Sequence, residues 1–120
     1  MPFVLAHVNV PVSREQETEI KTRMGPAIER ISGKNENVRL FGIEANGHLY
    51  LRGNGTQKMA YIEASIFGNE DHEGVDAFAA AATDIFRQVL GIPAENIYIR
   101  SDDIWAWSVS GMFIDRSQYR

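Results

Sequence analysis

The residue with the most chemistry to offer is a proline at position 2, directly after Met1. Once the methionine is removed, the Pro2 nitrogen is a free secondary amine, a base or nucleophile that no side chain supplies. An ordinary α-amino group titrates near ~8. Burial beside apolar groups, or a nearby cation, lowers that value. A base poised near ~7 suits proton abstraction at neutral pH. Proline is also merely tolerated at a strand start, so further residues must decide. Tyr98 and Arg100 stand at strand spacing and point the same way. Such a pair can grip a carboxylate, because arginine offers paired donors; alternatively Arg100 makes a surface ion pair with Asp102 or Asp103. Lys34 follows Gly33, where a cation is favoured near a helix C-terminus. Phe3, Tyr98, Trp105, Trp107 and Phe113 gather near strand ends. Aromatic groups there either wall a pocket or fill a subunit interface.

Other chemistries find less. His7, His48 and His72 are scattered, and no carboxylate–histidine cluster accompanies them in sequence. Neither a metal nor another cofactor is expected. Cysteine is absent, which removes thiol catalysis and disulfides and fits a reducing compartment. The serines lack a nucleophile-elbow context, and Gly53-Asn54-Gly55 is no phosphate loop. The formal net charge of −4, with no basic cluster, argues against a nucleic-acid partner. No apolar run approaches the ~20 residues of a membrane span, and nothing reads as a signal peptide. The expected location is the cytoplasm, with leaderless secretion as its variant.

Residues 1–120, 44% hydrophobic and 23% charged, suit one globular domain with a polar, loose tail over 115–120. Phe3 to Val10 alternates as a strand, and Pro11 ends it. Ser13-x-x-Gln16 is a capping box. Ile20, Met24, Ala27, Ile28 and Ile31 form a helical stripe; Gly25-Pro26 inside it predicts a kink or a weakened first half, and Gly33 a stop. Val38 to Ile43 reads as a strand, Asn46-Gly47 as a type I′ hairpin turn, and Leu49 to Leu51 as its return. Met59 to Phe67 alternates again. Val75 to Val89 is the clearest helix, closed by Gly91 and Pro93. Ile97 to Ile99 is a strand, and short apolar pieces flank Ser110-Gly111.

The halves superpose at a shift of 58 positions, Val4 on Ile62 and Gly33 on Gly91. The fold class is therefore α+β: two β-α-β repeats, with a four-stranded mixed sheet covered on one face by two antiparallel helices. Periodicity alone also allows a ferredoxin-like domain. The other sheet face mixes Phe3, Leu5, Tyr61 and Phe67 with His7, Asn9, Glu63 and Ser65. That mixture suits the partly wet interior of an oligomer, with the short C-terminal strands pairing at an edge.

From Pro2 to about Phe113 the chain resembles the tautomerase superfamily, and within it the macrophage migration inhibitory factor (MIF) family. The carriers are Met1-Pro2-Phe3, Asn9-Val10-Pro11, Ser32-Gly33-Lys34, Ala64-Ser65-Ile66-Phe67-Gly68, the run from Leu90 to Ile99, Trp105-Ala106-Trp107 and Phe113. The resemblance implies the tautomerase/MIF fold and a homotrimer with active sites at subunit interfaces. It implies keto–enol tautomerisation of a phenylpyruvate-like α-keto acid, with Pro2 as general base. Lys34 is then near the substrate carboxylate, and the Ile66 backbone amide contacts the ligand. Tyr98 comes from the neighbouring subunit, and Trp107 and Phe113 are pocket walls. Arg100 stands where the best-known members carry asparagine, adding a cation that lowers the Pro2 pKa or favours a dianionic substrate. The segment between Trp107 and Phe113 is one residue longer than in the animal proteins. Sister activities (decarboxylase, dehalogenase, muconate isomerase) and a non-enzymatic signalling or ligand-binding trimer are the alternatives.

Overall fold

A computed structural model describes residues 2–31 and 40–119. The element order is β1 (Pro2–Val8), α1 (Arg14–Glu29), β2 (Leu40–Glu44), β3 (Ala60–Phe67), α2 (Val75–Leu90), β4 (Ile97–Ile104), β5 (Ala106–Val109) and β6 (Met112–Asp115), with 3-10 turns at Ala94–Asn96 and Arg116–Tyr119. Strands pair in the order β2-β1-β3-β4. Each repeat joins its two strands in parallel across a helix, and β1 and β3 meet antiparallel at the centre. This is the predicted pair of β-α-β units.

Alternation in sequence becomes alternation in burial. Val4, Ala6, Val8, Ile62, Ala64 and Ile66 are fully buried beneath the helices, against Ile20, Met24, Ile28, Phe78 and Phe86. The helices run antiparallel, since Gln16 bonds the Val89 carbonyl near one end and Arg23 bonds Gln88 further along. Helix α1 starts on the predicted capping box, with Ser13 and Gln16 bonding each other's backbone. It continues through Pro26 to Glu29, so the proline does not break it. Pro26 is exposed while Met24, Ala27 and Ile28 are buried, and their packing outweighs the one lost backbone bond. Gly33, Lys34 and Val38 lie outside the described residues.

Three local expectations need correction. Asn46-Gly47 is not a hairpin turn: Asn46 has φ 60, but Gly47 is not left-handed. Their amides bond the carbonyls of Val10 and Val8, so this segment runs beside the end of β1. Leu49 to Leu51 is accordingly no return strand. The tight turn comes later, at Arg52-Gly53 (φ 54 and 77), closed by the Leu51–Asn54 bridge. Second, β4 runs to Ile104, five residues beyond Ile99, with Phe67 its last partner. Third, the polar tail is held as far as Arg116, which is only 8% exposed. Among the described residues, no helix is long and apolar enough to cross a membrane.

Candidate active site

Pro2 opens β1 with its ring fully buried and faces Ile66 of β3. Ile66 in turn faces Asp103 of β4. Directly opposed residues share a face, so Pro2, Ile66 and Asp103 form one row under the helices. Phe67 points the other way and stacks on Trp107, with ring centroids 6.1 Å apart and planes at 15°. Trp107 arrives there because β4 ends beside Phe67 and the chain turns into the β5–β6 hairpin. Ser110 and Gly111, both left-handed (φ 56 and 75), make its turn. A buried indole N–H usually finds an acceptor. That of Trp107 finds none among the described residues, so an unspent donor remains close to the Pro2 end of the sheet.

The remaining candidates divide. Phe113 faces Ser108, one place from the Trp107–Ile114 pair. It therefore points from the opposite face of the hairpin to Trp107 and is 62% exposed. Within one copy the two aromatics do not wall the same space. Tyr98 lies opposite Tyr61, which lies opposite His7, five residues along β1 from Pro2. At strand rise that is ~17 Å. Arg100 is nearer in register but projects from the open face with Tyr98. Pro2, Ile66 and Trp107 gather at one end of the sheet, and Tyr98 stands near the other.

Around Tyr98 a groove of ≈ 200 Å³ is lined by Leu49, Tyr50, Leu51, Met59, Tyr61 and Asn96. Sequence reasoning missed it. Its signal was the Leu-Tyr-Leu run, which reads as a hairpin strand but sits in a loop with Tyr50 70% exposed. Arg100 shares the open face with Tyr61 and pairs with Asp102, Nε to Oδ2 2.9 Å. Tyr61 and Asp102 push its pKa above the ordinary arginine value, so its charge is fixed. Of the two readings of Arg100, the ion pair with Asp102 is therefore present.

The open face also holds the carboxylate–histidine cluster that sequence spacing hid. His7 Nδ1 is 3.0 Å from Glu44 Oε2, and Nε2 is 2.9 Å from Glu63 Oε2. Its ring stacks on Tyr61 at 5.9 Å. Through these two contacts the His7 ring ties β1 to β2 and β3. The partners are far apart in sequence and meet only through strand pairing.

A second ionic cluster closes the Pro2 end. Asp103 takes both Arg116 Nη atoms, with Nη1 to Oδ2 at 2.6 Å, and accepts from the Asn69 amide at 2.9 Å. These bonds, Arg116 first, hold its carboxyl below the usual range against the opposing effect of burial.

No family model and no curated protein matches the sequence. Solved structures do match its fold. Leishmania major MIF2 is 18% identical, with 95% of this chain and 97% of that chain covered at a TM-score of 0.86. Pt0534, solved after inactivation by 2-oxo-3-pentynoate, is 17% identical, covering 91% and 93% at 0.80. R7 fused 4-OT, solved as an asymmetric trimer, is 14% identical, covering 98% and 99% at 0.81. With two β-α-β units around one mixed sheet and matches of this extent, the chain has the tautomerase/MIF fold.

Proposed function

We propose that the protein is a keto–enol tautomerase for a small α-keto acid of the phenylpyruvate type, with the Pro2 amine as general base and no cofactor. The observation that carries this reading is the place of Pro2: buried, first in the central strand, and in register with Ile66. The neutral amine takes a proton from the carbon next to the carbonyl. The charge that develops on oxygen needs fixed donors, and the proton returns to that oxygen to give the enol. Lys34 and Arg100 are the cations for the carboxylate and enolate; Trp107 of one copy and Phe113 of a neighbouring copy enclose the aromatic end, since within one copy the two lie on opposite faces of the hairpin. Pt0534 supports the substrate class, since its inactivator is itself an α-keto acid.

The working unit is a homotrimer. Tyr98 stands too far from Pro2 to serve it within one copy, and the fused 4-OT neighbour is a trimer. Each site then takes Pro2 from one subunit and Tyr98 from the next. Subunit mixing tests this. One parent carries Tyr98→Ala; the other carries an extra residue before Pro2, which ties up the amine. Both are expected to be nearly inactive. A 1:1 mixture, unfolded and reassembled, regains about a quarter of wild-type activity, because that share of sites draws both intact halves. No recovery would mean that both groups serve a site within one subunit.

The primary assay is ketonisation of phenylpyruvate enol against pH, on protein whose intact mass shows Pro2 as the first residue. The expected kcat/KM rises with pH between 5 and 8 as the amine loses its proton. Turnover that ignores Pro2, or none at all, would remove the enzymatic reading and favour a signalling or ligand-binding trimer.

A further inference from the structure

We propose that Arg116 is a positioning residue for the Pro2 corner: it locks the aromatic hairpin to the sheet and cancels the Asp103 carboxylate, which would otherwise favour a protonated Pro2. The inference rests on the proposed function in taking Pro2 as a free amine.

The locking half is geometric. The Arg116 amide bonds the Trp105 carbonyl at 2.9 Å, and Nη2 bonds the Ile104 carbonyl at 3.1 Å. The guanidinium lies 4.4 Å from the centre of the Trp105 ring, a cation–π contact. One side chain thus staples the open end of the hairpin to the last residues of β4. A two-stranded hairpin is marginal alone, and this one carries Trp107 to Phe67.

The electrostatic half follows from register. Pro2, Ile66 and Asp103 are successive partners on one face, so Asp103 lies two strand spacings, ~10 Å, from Pro2. Between them is the fully buried Ile66 side chain, an apolar medium that screens the charge less than water does. The other charged groups at this corner are Glu70, whose Oε2 is 3.8 Å from Arg116 and which is 70% exposed, and His72, which acts on Asp103 at longer range. Asp102 is turned to the open face with Arg100. Helices α1 and α2 bury only apolar side chains among the described residues. Among the described residues on this face of one copy, Asp103 and Arg116 are therefore the buried charges beside Pro2, and together they nearly cancel.

The test follows the Pro2 amine directly, by NMR titration of protein labelled with 15N-proline and checked by mass for Pro2 as first residue. Arg116→Met is expected to raise the titration midpoint by about one pH unit, since Asp103 is then unopposed. Arg116→Lys keeps the charge and stays near wild type. Asp103→Asn lowers the midpoint, and the double variant Arg116→Met/Asp103→Asn returns it towards wild type. A merely structural role predicts no such return. The proposal is overturned if Arg116→Met titrates with wild type, or if the double variant remains displaced. Should Arg116→Met not fold, Asp103→Asn carries the test, and an unmoved midpoint there is equally fatal. Parallel turnover assays separate the two readings: shifted midpoints without Pro2-dependent turnover remove the tautomerase but keep Arg116, and turnover with unmoved midpoints does the reverse.

Discussion

One alanine placed ahead of Pro2 is expected to lower kcat/KM for the proposed keto–enol exchange by about 10³-fold, within the span that a positioned general base contributes. The insertion turns the proline nitrogen into a tertiary amide, which has no usable basicity. It leaves the Pro2 ring in its buried place opposite Ile66, so folding and assembly are spared. Pro2→Gly is a milder change: a primary amine remains, but it is flexible and lacks the ring that fixes its direction. A loss of about 10-fold to 10²-fold is expected there. The order of the two variants is the informative part. Steady-state kinetics beside a thermal melt and a sizing column would check it. If insertion costs no more than Pro2→Gly while the assembly stays intact, the nitrogen is not the base.

Period-two alternation made the fold legible. Val4, Ala6 and Val8, then Ile62, Ala64 and Ile66, announced two strands with one buried face, and those six residues, with Ala60, form the buried centre of the sheet. What stayed hidden depends on contacts between distant residues. Ser101-Asp102-Asp103 reads as a strand ending, because acidic residues are poor strand formers. The strand continues because β3 offers partners as far as Phe67, while Arg116 neutralises Asp103 and Arg100 neutralises Asp102. The Asn46-Gly47 signal failed similarly, since carbonyls at the end of β1 captured both amides. Of the site, the positions of Pro2, Ile66 and Tyr98 on their strands were readable. Their division between two ends of the sheet was not, because it requires the register. The opposed faces of Trp107 and Phe113 were hidden as well, because they depend on where the hairpin turns.

Gly74→Ala is expected to destabilise the fold by about 4 kcal/mol, the largest effect of an added methyl among the described glycines. Two causes add. Gly74 precedes α2 with φ 82, a conformation that costs an L-residue roughly 1–2 kcal/mol. An added Cβ would also lie 2.1 Å from the Arg30 carbonyl oxygen and 2.9 Å from Ile31 Cα. Those are backbone atoms at the end of α1, anchored by the fully buried Ile31, so relief requires moving one helix against the other. Overpacking of that kind costs roughly 1–3 kcal/mol. Gly68 supplies the control: it is equally left-handed (φ 72), but an added Cβ there meets nothing within 4 Å. Gly68→Ala should therefore show the backbone cost alone, about 1 kcal/mol. Denaturant unfolding at one fixed protein concentration measures both, the fixed concentration removing any mass-action effect of assembly. Equal losses for the two variants would show that the approach of α1 to the start of α2 is looser than these distances imply. The contact also bears on function, since Lys34 follows Ile31 by three residues. If Lys34 holds the substrate carboxylate, Gly74→Ala raises KM more than it lowers kcat, whereas Gly68→Ala changes neither.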